Sequence, residues 1–259
     1  MMDRLARRPY NTLMQNTGKV ALVTGGNKGI GLAVVRRLAA DGYTTWLGSR
    51  DEARGRAAAK ELEGVGDVRF VSLDVTDDAS VAAAVTTIEA ETPALAVLVN
   101  NAGIYLEGGD GPPSVVELDA LRATYDVNVL GPLRVTRAFA PLLVRARSAG
   151  GTPHVVMVGA GLGSLTLQLD PESGLSRWPT FAYSSSKTAL NALAVAFANE
   201  LREAGIVVTV VNPGFVATDL NGHSGTLTPD DGARIVLRAT ELPLAKTGSF
   251  FGADGTVPW

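Results

Sequence analysis

Short runs of β-branched and leucine residues alternate with longer helical patterns almost from end to end of the 259 residues, and few folds accept that order. "KVALVTG" (19–25) reads as a buried strand, and helical periodicity follows over 29–41. "TTWLGS" (44–49) is a second strand, with an amphipathic helix over 52–63 behind it. "VRFVSLDV" (68–75) and "LAVLVNNAG" (95–103) are strands three and four, separated by a helix at 78–91. A long helical stretch over about 118–147 carries a break at Gly131-Pro132. "HVVMVG" (154–159) is strand five, 182–205 a long helix and "IVVTVVNPG" (206–214) strand six. A helix at 229–242 leads to a short last strand near "GSFFG". Near-continuous apolar strands joined by helical crossovers require a parallel sheet covered on both sides. Right-handed crossovers then make this an α/β fold: a single Rossmann-type doubly wound parallel sheet with helices on both faces, spanning 18–259 as one domain.

Composition narrows the partners. A formal net charge of −3 offers nucleic acid no attraction. With no cysteine there is no disulfide, thiolate metal site or cysteine nucleophile, which fits a cytoplasmic location. No apolar run reaches the roughly 20 residues of a membrane span. Residues 1–17 begin basic but lack an apolar signal-peptide core. They read as a flexible extension, with Met14 as an alternative start or the segment as a partner-binding arm.

"VTGGNKGIG" sets Gly25, Asn27, Lys28, Gly29, Ile30 and Gly31 between the first strand and the first helix. Glycine is needed where a backbone turns tightly and must approach a phosphate closely. The helix N-terminus beneath offers unpaired N–H groups and a positive dipole end to that anion. At the end of strand two a carboxylate would suit a ribose 2′-hydroxyl and a cation a 2′-phosphate. The chain reads Ser49-Arg50 there, and Lys28 adds a second charge, so NADP(H) is the expected cofactor. Asp51 competes for the acidic role but reads better as a helix N-cap.

Tyr183 and Lys187 lie four apart at the start of the long 182–205 helix, hence on one face. An ammonium beside a phenol stabilises the phenolate and lowers a pKa that is ordinarily about 10. Tyr183 then becomes a general acid for a carbonyl oxygen. His154 and His223 are far apart and without metal-ligand spacing. His154 reads as an edge or surface residue, and His223 as a candidate substrate contact in a lid. Asp230-Asp231 read as a helix-start pair. Trp178 and Phe181 either wall a pocket or pack beneath the 161–181 insertion.

"TGGNKGIG", "LDVTD" (73–77), "NNAG" (100–103), Asn128 in "YDVNVLG", "YSSSK" (183–187) and "NPGFVATDL" (212–220) occur in the order of one family. Over 18–259 the chain resembles the short-chain dehydrogenases/reductases, and most of all their carbonyl-reductase-like members. The resemblance implies NADPH-dependent reduction of a ketone, aldehyde or quinone. It also implies that Asp74 and Val75 border the adenine and that Asn101, Ala102 and Gly103 line the cofactor groove. Asn128 would help hold a water-linked proton path to Lys187. Pro213, Gly214, Val216 and Thr218 would meet the nicotinamide end.

One family residue is missing. Strand five of those enzymes runs into a serine pair whose second hydroxyl binds the substrate oxygen. Those positions fall here on Gly159 and Ala160. Losing a preorganised donor costs about 2.7–4 kcal/mol, or roughly 10²–10³-fold in rate. Ser164, four residues on, is a candidate replacement, although an extended loop would carry it away. A slowed reductase, a redox-neutral enzyme using Tyr183 as an acid and a non-catalytic NADPH-binding protein are the three readings. Monomer and homodimer both remain open.

Overall fold

The computed structural model describes residues 18–259, and the expected N-terminal extension, residues 1–17, lies outside them. Eight strands form one sheet in the order β3-β2-β1-β4-β5-β6-β7-β8. They are β1 (Val20–Thr24), β2 (Thr44–Ser49), β3 (Val68–Ser72), β4 (Val97–Asn100), β5 (His154–Val158), β6 (Val207–Val211), β7 (Ser249–Gly252) and β8 (Gly255–Thr256). Pairing is parallel from β3 through β7, and β8 turns back antiparallel on β7. That two-residue strand was not expected, being too short to show a period of two.

Alternation along each strand feeds two apolar layers. In β1, Leu22 faces one layer while Ala21 and Val23 face the other; in β5, Val155 and Met157 oppose Val156 and Val158. Helices α1 (Gly29–Ala40), α2 (Glu52–Glu61) and α8 (Pro229–Arg238) cover one side with Val34, Val35, Leu38, Ala58 and Val236. On the other lie α3 (Asp78–Glu91), α5 (Gly131–Ser148) and α7 (Phe181–Glu200), carrying Ile88, Phe139, Leu143, Leu190 and Phe197. Helices α4 (Leu118–Tyr125) and α6 (Leu165–Leu169) are the remaining α-helices among the described residues.

The expected break at Gly131-Pro132 is not a break. Leu118–Ser148 is continuous, and a π-turn at Asp126–Leu130 stands directly before Gly131 and Pro132, the residue that has no N–H to give the helix ladder. This stretch has the length and apolarity of a membrane span, yet Val135, Phe139, Leu142 and Leu143 are buried against the sheet. His154 is no edge residue either. It opens β5, between β4 and β6, and is 6% exposed.

Strands three, four and six end earlier than expected, at Ser72, Asn100 and Val211. The residues beyond them leave the ladder for side-chain bonds: Asp74 Oδ1 accepts from Thr76 N at 2.9 Å, and Asn101 Nδ2 donates to Thr24 O at 2.9 Å. Strand order reverses between β1 and β4, and the site forms where their carboxyl ends part.

Candidate active site

The loop from β1 to α1 is built for an anion. Gly25 and Gly29 have φ of 62° and 54°, a region open to glycine at little cost. A Cβ on Gly31 would stand 2.3 Å from Gly25 O and 2.5 Å from Asn101 Nδ2, so any side chain would force the loop open. Asp51, Asp77 and Thr228 cap α2, α3 and α8 with their side chains. Helix α1 has no side-chain cap and no acidic residue in its first turn, so its positive end is left for a ligand phosphate. A dinucleotide therefore fits the residues present.

The walls of the groove are tied together by hydrogen bonds. Thr24 Oγ1 accepts from Asn101 N and Ala102 N, each at 3.0 Å, and Asn101 Nδ2 reaches Gly25 O at 3.1 Å. Ser49 is buried and donates to Asp51 O at 3.0 Å, while Arg50 is exposed. Asp51 caps α2 by accepting from Arg54 N at 2.9 Å, as its sequence position suggests. Asp74 also accepts from Thr76 Oγ1 at 2.7 Å, and these bonds, with the Arg50 and Arg134 charges, outweigh burial and hold its carboxyl below the usual range. Val75 is buried against Gly131.

Across the groove, Gly214 takes a φ of 84° and Val216 bridges to Leu227. The Thr218 methyl lies 3.2 Å from where a Cβ on Gly29 would stand, so this segment, which begins at Pro213, meets the glycine loop directly. Lys28 Nζ is paired with Asp219 at 2.7 Å, and Asp219 also holds His223 Nε2 at 3.0 Å.

Tyr183 and Lys187 occupy the first two turns of α7, with Lys187 Nζ 5.5 Å from the centre of the Tyr183 ring. Lys187 Nζ donates to Val158 O at 2.8 Å, fastening the helix to the end of β5 two residues before Ala160. It also stands 3.6 Å from where a Cβ on Gly103 would be. Burial lowers the ammonium to about 8 and pushes the phenol up to about 12. The expected depression of the tyrosine pKa is thus reversed. Desolvation by burial is the cause in both groups.

The side chain of Asn128, on the π-turn, accepts from Ile104 N at 2.8 Å and donates to Ile104 O and Ser186 Oγ, each at 3.0 Å. Both amide protons are used, and the three bonds tie that loop to α7. A Cβ at Gly159 would lie 2.6 Å from Val210 Cγ1, so a serine there would require Val210 to shift. Ala160 begins a 3₁₀ turn, Gly161–Gly163, so the loop is tight rather than extended. Ser164 is buried and accepts from Leu167 N at 3.1 Å as the cap of α6, a structural use for its oxygen. Trp178 is half exposed, edge-on to Phe215 with ring centres 5.8 Å apart, and Phe181 is also exposed, so neither packs beneath the insertion. Asp231 closes a capping box with Thr228, and Asp230 pairs with Arg37 at 3.4 Å.

Three neighbours of the site escaped sequence reasoning. Thr24 lies inside the "TGG" motif but bears no group that singles it out. Tyr105 lies edge-on to Tyr183, ring centres 5.8 Å apart, and Asp110 binds the first turn of α7. Both occupy an irregular loop that carries no periodic signal.

The family described as short chain dehydrogenase matches residues 19–226. The chain is 32% identical to a (+)-neomenthol dehydrogenase of Arabidopsis thaliana, covering 92% of this chain and 97% of that one. It is 30% identical to carbonyl reductase (NADPH) 1 of Bos taurus, over 95% and 100% of the two chains. The NADPH-bound carbonyl reductase from chicken fatty liver superposes with a TM-score of 0.84 at 28% identity, covering 94% of this chain and 100% of that one. With its glycine loop, groove walls and Tyr/Lys helix in the same order along the same sheet, the chain belongs to the short-chain dehydrogenase family.

Proposed function

We propose that this protein is an NADPH-dependent carbonyl reductase, converting a ketone, aldehyde or quinone carbonyl to the alcohol. The carrying observation is the placement of Tyr183 and Lys187 on one face of α7, against Gly103 of the cofactor groove. The cofactor is NADP(H): Arg50 is exposed at the end of β2, Lys28 lies in the glycine loop and α1 presents an uncapped N-terminus. An NADPH-bound and an NADP-bound structural neighbour support the same reading. NADPH, when bound, would supply the hydride for the carbonyl carbon. The Tyr183 hydroxyl donates its proton to the carbonyl oxygen, and Lys187 stabilises the phenolate left behind. The Asn128 side chain keeps the Ile104 loop against α7. Asp74, Val75, Asn101 and Ala102 would border the nucleotide, and Pro213, Gly214, Val216 and Thr218 its nicotinamide end. Exposed Trp178 and Phe215, in edge contact with each other, offer apolar surface that would suit a carbonyl compound with an apolar body.

Ala160 offers no hydroxyl to the developing oxyanion, so turnover is slow by family standards. The same absence supports a second reading, a redox-neutral cyclase, isomerase or eliminating enzyme that uses Tyr183 as an acid. The test is loss of reduced-nicotinamide absorbance with a panel of ketones, aldehydes and quinones. Tyr183→Phe should lower kcat by about 10²–10⁴-fold, and Ala160→Ser should raise it by about 10²-fold. Turnover by Tyr183→Phe equal to that of the parent would refute the assignment.

A further inference from the structure

An α-helix leaves its first N–H groups without intrahelical partners, and the N-cap side chain is the usual remedy. In α7 the N-cap is Thr180, at φ −118° and ψ 65°; its side chain makes no capping bond and its hydroxyl is buried without a partner. The bonds come instead from a loop about seventy residues earlier. Gly111 O accepts from Phe181 N at 3.0 Å. Asp110 Oδ1 accepts from Ala182 N at 2.8 Å and from Gly111 N at 2.7 Å, and its Oδ2 accepts from Tyr183 N at 2.9 Å.

We infer that Asp110 is the positioning residue for Tyr183, holding the proton donor by its own backbone N–H. The inference rests on the reading of Tyr183 as the acid. A carboxylate suits the task because charge-assisted bonds are stronger than neutral ones and the helix N-terminus favours negative charge. The same loop carries Ile104, gripped by Asn128, and Tyr105, edge-on to the Tyr183 ring. Asp110 therefore makes one body of the phenol and the loop beside it. Placement matters because a shift of about 1 Å in a reacting group can cost about 10²-fold in rate.

Asp110→Asn is the decisive variant. Its remaining carbonyl oxygen can keep Gly111 and Ala182, but an amide nitrogen, a donor, then faces Tyr183 N–H. The expected result is a fall in kcat of about tenfold with NADPH Kd within twofold of the parent. A change in kcat below about fivefold, or loss of NADPH binding in step with kcat, overturns the inference. Amide hydrogen exchange on the unaltered protein is a second check that needs no variant and no substrate. Tyr183 N–H should exchange as slowly as amides in the middle of α7, although it lies in the first turn. Exchange at the rate of an exposed first-turn amide overturns the inference even if Asp110→Asn fails to fold. A parent inactive on every carbonyl would refute the reductase reading instead, with Tyr183 N–H still protected.

Discussion

A phenol whose pKa is pushed up to about 12 stays protonated throughout the neutral range, which keeps Tyr183 ready to give a proton rather than take one. Lys187 moves the opposite way, from its usual 10.5 to about 8, because burial penalises its charge. Its ammonium is present below that value and is lost as pH rises through it. The reductive kcat at saturating NADPH should therefore be level near pH 6–7 and decline with a midpoint about 8. A rate that climbs through pH 8 would show that the Lys187 charge is not used. The Tyr/Lys spacing was legible in the sequence, since i,i+4 fixes a shared face. The direction of the tyrosine shift was not, because spacing reports proximity and says nothing of where the amine points or how dry the site is. Ala160 was legible as an absent hydroxyl, whereas the crowding of Gly159 by Val210 was not.

Between elements, the closest liaison across the groove joins the glycine loop to the segment after β6, where Lys28 pairs with Asp219 and Thr218 faces Gly29. For Lys28 to meet the 2′-phosphate of NADPH, as proposed, it would leave Asp219, and an exposed pair of this kind holds it by about 0–1 kcal/mol. Asp219→Asn should thus tighten NADPH binding by up to about fivefold at low salt and leave NADH nearly unchanged. Titration of cofactor fluorescence checks this, and equal tightening of both nucleotides would contradict it. The order of elements was readable because apolar runs and helical periods alternate cleanly. Their ends were not, for "NNAG", "LDVTD" and "NPG" look like strand extensions until Asn101 and Asp74 find their hydrogen-bond partners. The π-turn carrying Asn128 and the distant cap on α7 depend on tertiary contacts, which no local pattern records.

Across the whole molecule, one sheet organises both stability and function: its carboxyl edge carries the site, and its interior carries His154. Burial lowers the His154 imidazole from 6.5 to about 4, against an opposing backbone bond at Ala239. A histidine kept neutral by folding contributes stability that is complete above the unfolded pKa and is lost as pH falls toward the folded one. Urea unfolding should accordingly show a loss of about 3 kcal/mol from this residue between pH 6.5 and pH 4. His154→Gln should flatten that part of the slope, and an unchanged slope would contradict the assignment.

The central step in the proposed reaction is hydride transfer from the nicotinamide to the substrate. NADPH carrying deuterium at the transferable position, incubated with a carbonyl substrate, tests that most directly by mass spectrometry of the product. The expected product is an alcohol one mass unit heavier, its deuterium on the carbinol carbon, with one NADP formed per product. Product that forms unlabelled, with the reduced cofactor intact, would contradict it.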